Sequence, residues 1–288
     1  MRQVNALVHF PPGLLPLMAS FLGPDSIFVA GGYEDSGALS SVLGYCVSTS
    51  TWRTDVPSMT TARNTWRTDV PSMTTARSQP AAVALGGRMM VFGGVGAGYN
   101  NYLSACEAFD PITNKWTVLP PMSTPRDAAC AVAWQGISLQ RDNGRAFVFG
   151  GHNGSTPLAS AECFDPTLNQ WFRIAHMSTA RSHAAAVTVP GHGIIVMGGW
   201  IVGHVLSSAE LYDPATDQWT LTSWNLPKQL CSFAAHFIDG VLHIIGGFTP
   251  GVGYVTDCWS MDLGAESMIW SQLPPLPRAM DGLSSAML

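Results

Sequence analysis

The sequence predicts an all-β propeller of five four-stranded blades, and three observations lead to that prediction. A short hydrophobic run ending in Gly-Gly occurs five times, and a Trp follows each run at a similar distance. The 288 residues include 29 Gly and 20 Pro, which favours frequent turns over long helices. The repeats occupy residues 25–288, and a ring with six blades, one of them open or degenerate, is the rival architecture.

The five diglycines set the period of the repeat. Their first glycines stand at positions 31, 93, 150, 198 and 246, so the spacings are 62, 57, 48 and 48. The hydrophobic run before each pair predicts a strand buried on both faces. Glycine permits positive φ and close backbone approach, which a crowded turn requires. The predicted structural glycines are Gly31, Gly32, Gly93, Gly94, Gly150, Gly151, Gly198, Gly199, Gly246 and Gly247.

The tryptophans lie 21 to 24 residues after the first glycine of each pair. They are large enough to fill the space between adjacent sheets, where each contributes on the order of 2–3 kcal/mol by burial. The predicted set is Trp52, Trp116, Trp171, Trp219 and Trp270.

Each unit contains four short segments that are rich in β-forming residues. In the fourth unit they are HAAAVTV (183–189), GIIVMGG (193–199), SSAELYD (207–213) and WTLTS (219–223). Turn residues at 86–87, 190–193 and 239–240 predict hairpins. Four antiparallel strands in about 48 residues are typical of one propeller blade.

Two irregular spacings have an explanation in the sequence. Residues 51–63 recur letter for letter at 65–77, and the first spacing of 62 less this 14-residue shift is 48. One copy is therefore surplus, and we expect Trp52 to occupy the strand while residues from about Pro57 to Trp66 form a loop. The second spacing reflects an insert near 137–145 in a predicted hairpin loop.

The last segment of the chain predicts how the repeat is completed. The first unit starts at its diglycine strand and lacks the strand that precedes it in the other units. The sequence after Arg278, AMDGLSSAML, resembles that missing strand. We therefore expect it to pair with Ser26–Ala30 and to close the ring, which would remove exposed sheet edges.

Composition and charge bound the function. The net charge is −5 and the 14 Lys and Arg are scattered, which argues against nucleic-acid binding. The chain contains no run of 18 apolar residues, so no membrane helix is predicted.

The six cysteines include no CxxC pair and predict buried thiols in a reducing, cytoplasmic setting. No cofactor and no metal site are predicted. Asn153-Gly154-Ser155 is a formal glycosylation sequon, but we favour a turn there.

The pattern between glycines and Trp resembles the kelch repeat. An aromatic-Asp pair is followed by Trp six residues after the Asp, at Asp110/Trp116, Asp165/Trp171 and Asp213/Trp219. Three positions depart from the pattern: Cys46 replaces the Asp of the first unit, Asp262 lies eight residues before Trp270, and the fourth unit ends at Leu230 without its Arg.

The resemblance to kelch substrate adaptors implies a monomeric protein-interaction module that recognises a substrate or scaffolds an assembly, of which a ubiquitin ligase is one. It also implies a partner-binding mouth lined by the residue after each diglycine and by the residue after the Arg that opens the next blade. The predicted set is Tyr33, Ser78, Asp127, His152, Ser182, Trp200 and Phe248, with Val95, Cys231 and Ala279 in equivalent slots. In the structural alternative the aromatic residues cap the ring, and Arg77, Arg126 and Arg181 bond to neighbouring loops.

An enzyme is the alternative class. Some kelch proteins are sugar oxidases or mutarotases, and a fold does not decide a function. No HExxH, GxSxG, P-loop or zinc spacing occurs in the chain. His152, His183 and Asp127 form the one arrangement at the mouth that could hold a metal. We therefore predict no catalytic residues.

Residues 1–24 form an apolar leader before the repeats. The stretch HFPPGLLPLMASFLGPDS (9–26) resembles the first part of an F-box, the helical module that docks substrate receptors onto ubiquitin ligases. Two interpretations stay open at this point: an apolar cap, or an F-box remnant cut short by the repeats.

Overall fold

A computed structural model describes residues 71–279 except 99, 111 and 135–143, together with the backbone of six further strands. Among these residues all regular structure is β-strand. No helix that could cross a membrane occurs in the described part of the chain.

The strands in chain order are β1 (Ser26–Ala30), β2 (Tyr33–Glu34), β3 (Gly37–Ala38), β4 (Val42–Cys46), β5 (Thr51–Arg53), β6 (Arg77–Ser78), β7 (Ala81–Leu85), β8 (Arg88–Phe92), β9 (Val95–Gly96), β10 (Cys106–Asp110), β11 (Lys115–Leu119), β12 (Cys130–Trp134), β13 (Arg145–Phe149), β14 (Ala161–Asp165), β15 (Gln170–Ile174), β16 (Ala185–Val189), β17 (Gly193–Met197), β18 (Trp200–Ile201), β19 (His204–Val205), β20 (Ser208–Asp213), β21 (Gln218–Asn225), β22 (Ala234–Ile238), β23 (Val241–Ile245), β24 (Phe248–Thr249), β25 (Gly253–Tyr254), β26 (Cys258–Asp262), β27 (Ser271–Leu273) and β28 (Ser284–Met287).

The long strands form antiparallel four-stranded sheets, which we call blades. Their orders are β7-β8-β10-β11, β12-β13-β14-β15, β16-β17-β20-β21, β22-β23-β26-β27 and β28-β1-β4-β5. The chain divides into two compact units, the first containing residues 70–226 with three blades and the second residues 227–288 with the early strands. Two-stranded hairpins such as β18-β19 follow the diglycines, a feature that sequence analysis missed.

The all-β class and the four strands of each repeat are confirmed. In the fourth repeat the four predicted segments become β16, β17, β20 and β21. Four blades are described with their side chains, one fewer than the five predicted, and the sheet that contains β1 is described by its backbone alone. A single closed ring of five blades, with six as its rival, stays a prediction.

The sheet that contains β1 joins an early strand to the last strand of the chain. Strand β28 pairs antiparallel with β1, with Ile27 opposite Met287 and Ala30 opposite Ser284. The predicted pairing of the last segment with Ser26–Ala30 is therefore confirmed. Trp52 lies in β5 opposite Tyr45, as expected for the first copy of the duplication. The predicted loop from Pro57 to Trp66 lies outside the described residues, as does the leader at 1–24.

Hairpin lengths locate the second insert. The β7-β8, β16-β17 and β22-β23 hairpins turn at the predicted positions, and their last pairs are Leu85 with Arg88, Val189 with Gly193, and Ile238 with Val241. In contrast, β12 and β13 close at Trp134 with Arg145. The predicted insert therefore lies in the β12-β13 connection, most of which is outside the described residues.

The diglycines have the predicted geometry. Gly150 and Gly151 have φ of 62° and 90°, and the other described pairs repeat these values closely. A Cβ on Gly150 would lie 2.2 Å from the carbonyl oxygen of Arg181. A side chain at this position is excluded, because the linker to the next blade passes directly against the turn.

Two tryptophans of the first unit pack between adjacent blades, as predicted. Trp171 meets Phe92 of the preceding blade edge to face at 5.2 Å, and Trp219 meets Phe149 in the same way at 5.5 Å. The Trp171 Nε1–H also donates to the carbonyl oxygen of Pro120, 2.8 Å away in the linker between the two blades. Each indole thus joins its own blade, the preceding blade and the linker.

Candidate functional site

The two predicted sets of mouth residues pair with each other. The residue after each described diglycine forms an antiparallel bridge with the residue after the linker that opens the same blade. These rim pairs are Ser78 with Val95, Asp127 with His152, Ser182 with Trp200, and Cys231 with Phe248. Tyr33 starts β2 opposite Ala38, and its side chain lies outside the described residues.

Reciprocal hydrogen bonds hold the rim pairs. The Asp127 N–H donates to the His152 oxygen at 3.0 Å, and the His152 N–H donates back to Asp127 at 2.9 Å. Ser182 and Trp200 repeat the arrangement at 3.0 and 2.7 Å. Because the backbone fixes both members, the side chains project from a rigid base.

A residue in the left-handed region follows each rim pair on the linker side. These residues and their φ angles are Gln79 (51°), Ala128 (46°), His183 (54°) and Ser232 (55°). In the first unit they also link successive blades, since Ala128 N–H donates to Gln79 and His183 N–H donates to Ala128. Such backbone strain, of order 1–3 kcal/mol for each residue, is common where a fold positions a binding site.

The rim side chains differ in accessibility. Ser78 is exposed, whereas His152, Trp200 and Phe248 are half-buried. Ser182 is 1% exposed, and its Oγ lies 3.3 Å from the Trp200 oxygen, to which it donates. Ser182 therefore supports Trp200 and is not itself open to a partner.

Asp127 is the most unusual rim residue. It is 9% exposed, and its Oδ1 atom has no hydrogen-bond partner among the described residues. Desolvation raises the pKa of this carboxyl, and nearby His152 partly opposes the rise. A buried acceptor without a donor costs about 1–3 kcal/mol, so the site gains stability when a ligand supplies the missing donor.

His152, the bridge partner of Asp127, lies beside a second ring. The ring centroids of His152 and Tyr102 lie 5.9 Å apart, so a residue of one blade touches the histidine of the next. His183 is half-buried, and desolvation together with His152 lowers its pKa. Among the described residues no three His, Cys, Asp or Glu side chains form a group that could hold a metal ion. The hypothetical set of Asp127, His152 and His183 is therefore not assembled as a metal site.

The linker arginines point away from the mouth and into the blades. Arg181 is completely buried, and its Nη1 donates to the carbonyl oxygens of Gly198 and Ser208, both at 2.9 Å. Its Nη2 lies 2.9 Å from Glu210 Oε1 in a buried ion pair. Arg77 and Arg126 repeat this arrangement with Glu107 and Glu162. The bonding role that the sequence left as an alternative for these arginines is thus the observed one.

The partner glutamates were missed by sequence analysis. Glu210 also accepts the backbone N–H groups of Ser178 and Thr179 in the linker, at 2.7 and 3.2 Å. Burial acts to raise the pKa of Glu210, but hydrogen bonds from Arg181 and Ser178 outweigh this effect, and the pKa is lowered overall. The signal was present in the sequence, because a Glu stands three residues before the aromatic-Asp aspartate in the three repeats that follow Arg77, Arg126 and Arg181.

The cysteines are free thiols, as predicted for the five that are described. Burial raises the pKa of Cys106, Cys163 and Cys258 to about 12. At neutral pH these thiols are therefore in the protonated form, which is the less reactive one.

Comparison with known proteins decides the family. Residues 27–249 match the Attractin/LZTR1 beta-propeller. The chain belongs to this family. Its fold is accordingly an all-β propeller, and the kelch resemblance has independent support in two relatives. The Caenorhabditis elegans kelch repeat-containing protein kel-10 is 25% identical over 181 residues, which are 61% of this chain and 28% of that protein.

Human kelch-like protein 4 is 35% identical over 88 residues, which are 30% of this chain and 11% of the relative. The Attractin/LZTR1-type chain thus spans less than a third of the length of either relative. The solved structure of YjhT has a TM-score of 0.62 at 16% identity, covering 74% of this chain and 69% of that one, which shows a shared fold. The family match begins after the F-box-like stretch, and that interpretation finds no support.

Proposed function

We propose that this Attractin/LZTR1-type propeller is a protein-interaction module that holds a polypeptide segment of its partner at the rim pairs of the first unit. The observation that carries the proposal is the Asp127–His152 pair. A nearly buried carboxylate oxygen without a donor lies in a rigid backbone bridge beside half-buried aromatic rings. Such a combination suits a segment that brings hydrogen-bond donors and apolar surface.

The charge of the rim defines what the segment must carry. The three linker arginines of the first unit form buried ion pairs with glutamates, so their charges are not available to a ligand. The rim pairs of the first unit present the Asp127 acceptor, the exposed hydroxyl of Ser78, and the rings of His152 and Trp200. We therefore propose that the recognised segment supplies Lys, Arg, hydroxyl or backbone N–H donors and is not acidic.

The wider role follows from the relatives and is part of the same proposal. Both named relatives are kelch proteins, and the chain spans only a fraction of each. We propose that the module selects a substrate or scaffolds an assembly, with a ubiquitin ligase as one such assembly. A cytoplasmic setting and a monomeric state are proposed with it.

Selection from a displayed peptide library tests the proposal. Peptides that bind the full chain are synthesised, and their dissociation constants are measured for wild type, Asp127→Asn and Trp200→Ala by fluorescence anisotropy. Asp127→Asn replaces an acceptor oxygen by a donor, so we expect binding to weaken about tenfold or more, since hydrogen bonds to charged groups contribute about 1.5–3 kcal/mol. Trp200→Ala should have a similar effect through lost aromatic contact.

Phe172→Ala is the matched control, because Phe172 is an exposed aromatic residue on the outer strand β15. Its affinity should equal that of wild type. If the affinity of the peptides is unchanged by Asp127→Asn and Trp200→Ala but falls with Phe172→Ala, the peptides bind at the outer strands. That result would overturn the proposal.

A further inference from the structure

The hairpin at residues 152–157 holds an Asn-Gly step in an unusual hydrogen-bond setting. The Gly154 backbone N–H donates to the Nδ1 atom of His152 at 2.9 Å. The Asn153 side-chain oxygen accepts the backbone N–H groups of Ser155 and Thr156, both at 2.9 Å. The turn that the sequence predicts at this place is therefore also a small cluster of a base, a carboxamide and two donors.

We propose that this cluster makes Asn153 a site of self-catalysed deamidation. In that reaction the Gly154 nitrogen attacks the Asn153 side-chain carbon, and the side-chain amino group leaves as ammonia. The product is a five-membered succinimide. Water then adds to one of its two carbonyls and gives Asp or isoaspartate, so the net change consumes one water and releases one ammonia without any redox step.

His152 fits the role of the base. Because the Gly154 N–H donates to Nδ1, that nitrogen carries the lone pair and the ring proton is on Nε2. Nδ1 can therefore take the amide proton as the N–C bond forms. The resulting imidazolium can return that proton to the departing nitrogen, so the proton balance closes within the hairpin.

The two backbone donors fit the role of an oxyanion hole. When the Gly154 nitrogen adds to the side-chain carbon, negative charge develops on the Asn153 oxygen. The Ser155 and Thr156 N–H groups already point at that oxygen. Donors placed in advance where charge develops lower the barrier to such an addition.

Access and backbone requirements are also met. Gly154, Ser155 and Thr156 are exposed, so water can reach the succinimide. Gly154 has φ of 95°, and a Cβ there would lie 2.6 Å from the Tyr102 ring. The position therefore demands glycine, which leaves the attacking nitrogen unhindered. Deamidation would place a new carboxylate beside the Asp127–His152 pair.

The full chain provides its own reference for the experiment. Asn143-Gly144 is a second Asn-Gly step, preceded by Asp142 and not by a histidine. The purified chain is aged at neutral pH and physiological temperature, and both steps are followed by peptide mass spectrometry with an isoaspartate assay. Wild type is compared with His152→Ala and with His204→Ala, an exposed histidine in the β18-β19 hairpin.

We expect His152→Ala to slow deamidation at Asn153 about tenfold relative to Asn143, with His204→Ala unchanged. This tenfold slowing is smaller than the usual 10²–10⁴-fold effect of a positioned base. A backbone amide is a very weak acid, so a histidine removes its proton inefficiently. In urea-unfolded wild type the Asn153 rate should fall toward that of Asn143. If Asn153 reacts no faster in the folded chain than in the unfolded chain, the proposal is wrong, and this comparison decides even if His152→Ala fails to fold.

Discussion

The β16-β17-β20-β21 blade of the first unit and the β22-β23-β26-β27 blade of the second unit share strand order and register but are held to their linkers differently. Val196 faces Glu210 in the first, whereas Ile244 faces Trp259 at the same register in the second. The linker residue that corresponds to Arg181 is Leu230, which is equally buried. In place of the buried pair, Lys228 forms an ion pair with Asp257 nearer the surface, with side chains 31% and 25% exposed.

The centres of the two blades also differ. Val187, Ile195 and Leu211 form one cross-strand row in the first, and His236, His243 and Ser260 form the same row in the second. Backbone register is therefore set by what both blades share, the diglycine turn and the rim pair. The side chains in each row do not change this register. They change the free energy of unfolding and its dependence on pH.

The largest effect is expected from neutralising one member of a buried pair. Glu210→Gln keeps the shape of the side chain but leaves Arg181 buried and uncompensated, which costs about 3–5 kcal/mol. Asp257→Asn is the matched change in the other blade and should cost no more than about 1 kcal/mol, since that pair is partly exposed. Urea unfolding of each variant measures both.

Equal losses for Glu210→Gln and Asp257→Asn would contradict the distinction between the two linkers. The double variant Arg181→Leu/Glu210→Leu sharpens the test. It removes both charges, so its loss of unfolding free energy should be smaller than the summed losses of the single variants Arg181→Leu and Glu210→Leu.

The histidine row should cost stability in acid. His236 Nε2 and His243 Nδ1 are buried without partners among the described residues. Burial and then His243 lower the pKa of His236 to about 4, and burial lowers that of His243. His236→Val/His243→Ile copies the other blade and should stabilise the protein by about 1–3 kcal/mol by removing these atoms.

The stabilisation produced by His236→Val/His243→Ile should increase as the pH falls. An unfolded histidine takes up its proton near pH 6.5, whereas folded His236 stays neutral until the pH approaches 4 and burial also lowers the pKa of folded His243. Stability of wild type is therefore lost between these values, and the double variant does not share the loss. Thermal melts at pH 7.5 and pH 5 measure the difference, and a gain that is constant with pH would contradict it.

A smaller effect is expected at the rim, where Asp127 differs from Ser182 in lacking a partner for a buried atom. Asp127→Asn removes the charge that burial penalises, so it should stabilise the unliganded protein by about 1 kcal/mol. The carboxyl has a raised pKa, so its burial penalty is present above that pKa and disappears as the group is protonated. The gain should hence be present at pH 7 and vanish toward pH 3 in urea titrations. A loss of stability at pH 7 would show that the carboxylate has a partner.

The smallest effect concerns the duplicated segment. The structure uses Trp52 of the first copy in β5 and Pro71 to Arg77 of the second copy as the linker. Deleting Asn64–Arg77 leaves one copy and places its Arg 11 residues after Trp52, the spacing of Trp219 and Leu230. The melting temperature should stay the same or rise slightly. A marked fall would show that both copies are needed.

The sequence was a good guide to the parts that repeat. The glycine spacing, Trp171, Trp219 and the closing strand are local or periodic signals, and each led to the correct element. The Arg–Glu pairs are different, since Arg181 and Glu210 are 29 residues apart and their contact depends on how the linker returns along the blade. The Asn153 cluster likewise depends on the fold, because only the folded hairpin shows which nitrogen of His152 receives the Gly154 N–H.

The site was predictable in position but not in chemistry. The rim residues were expected to line a mouth together, yet pairing makes one member of a pair support the other, as Ser182 supports Trp200. Burial decides which side chain remains open, and burial at the end of a sheet depends on neighbouring loops that a repeat pattern does not specify.

The distance from Asp127 Oδ1 to the nearest donor in a structure of the protein with a selected peptide tests the central claim most directly. We expect a nitrogen or hydroxyl donor of the peptide at about 2.7–3.2 Å, with the peptide against His152 and Trp200. A peptide bound along the outer strands, with Asp127 Oδ1 still lacking a donor, would contradict the account.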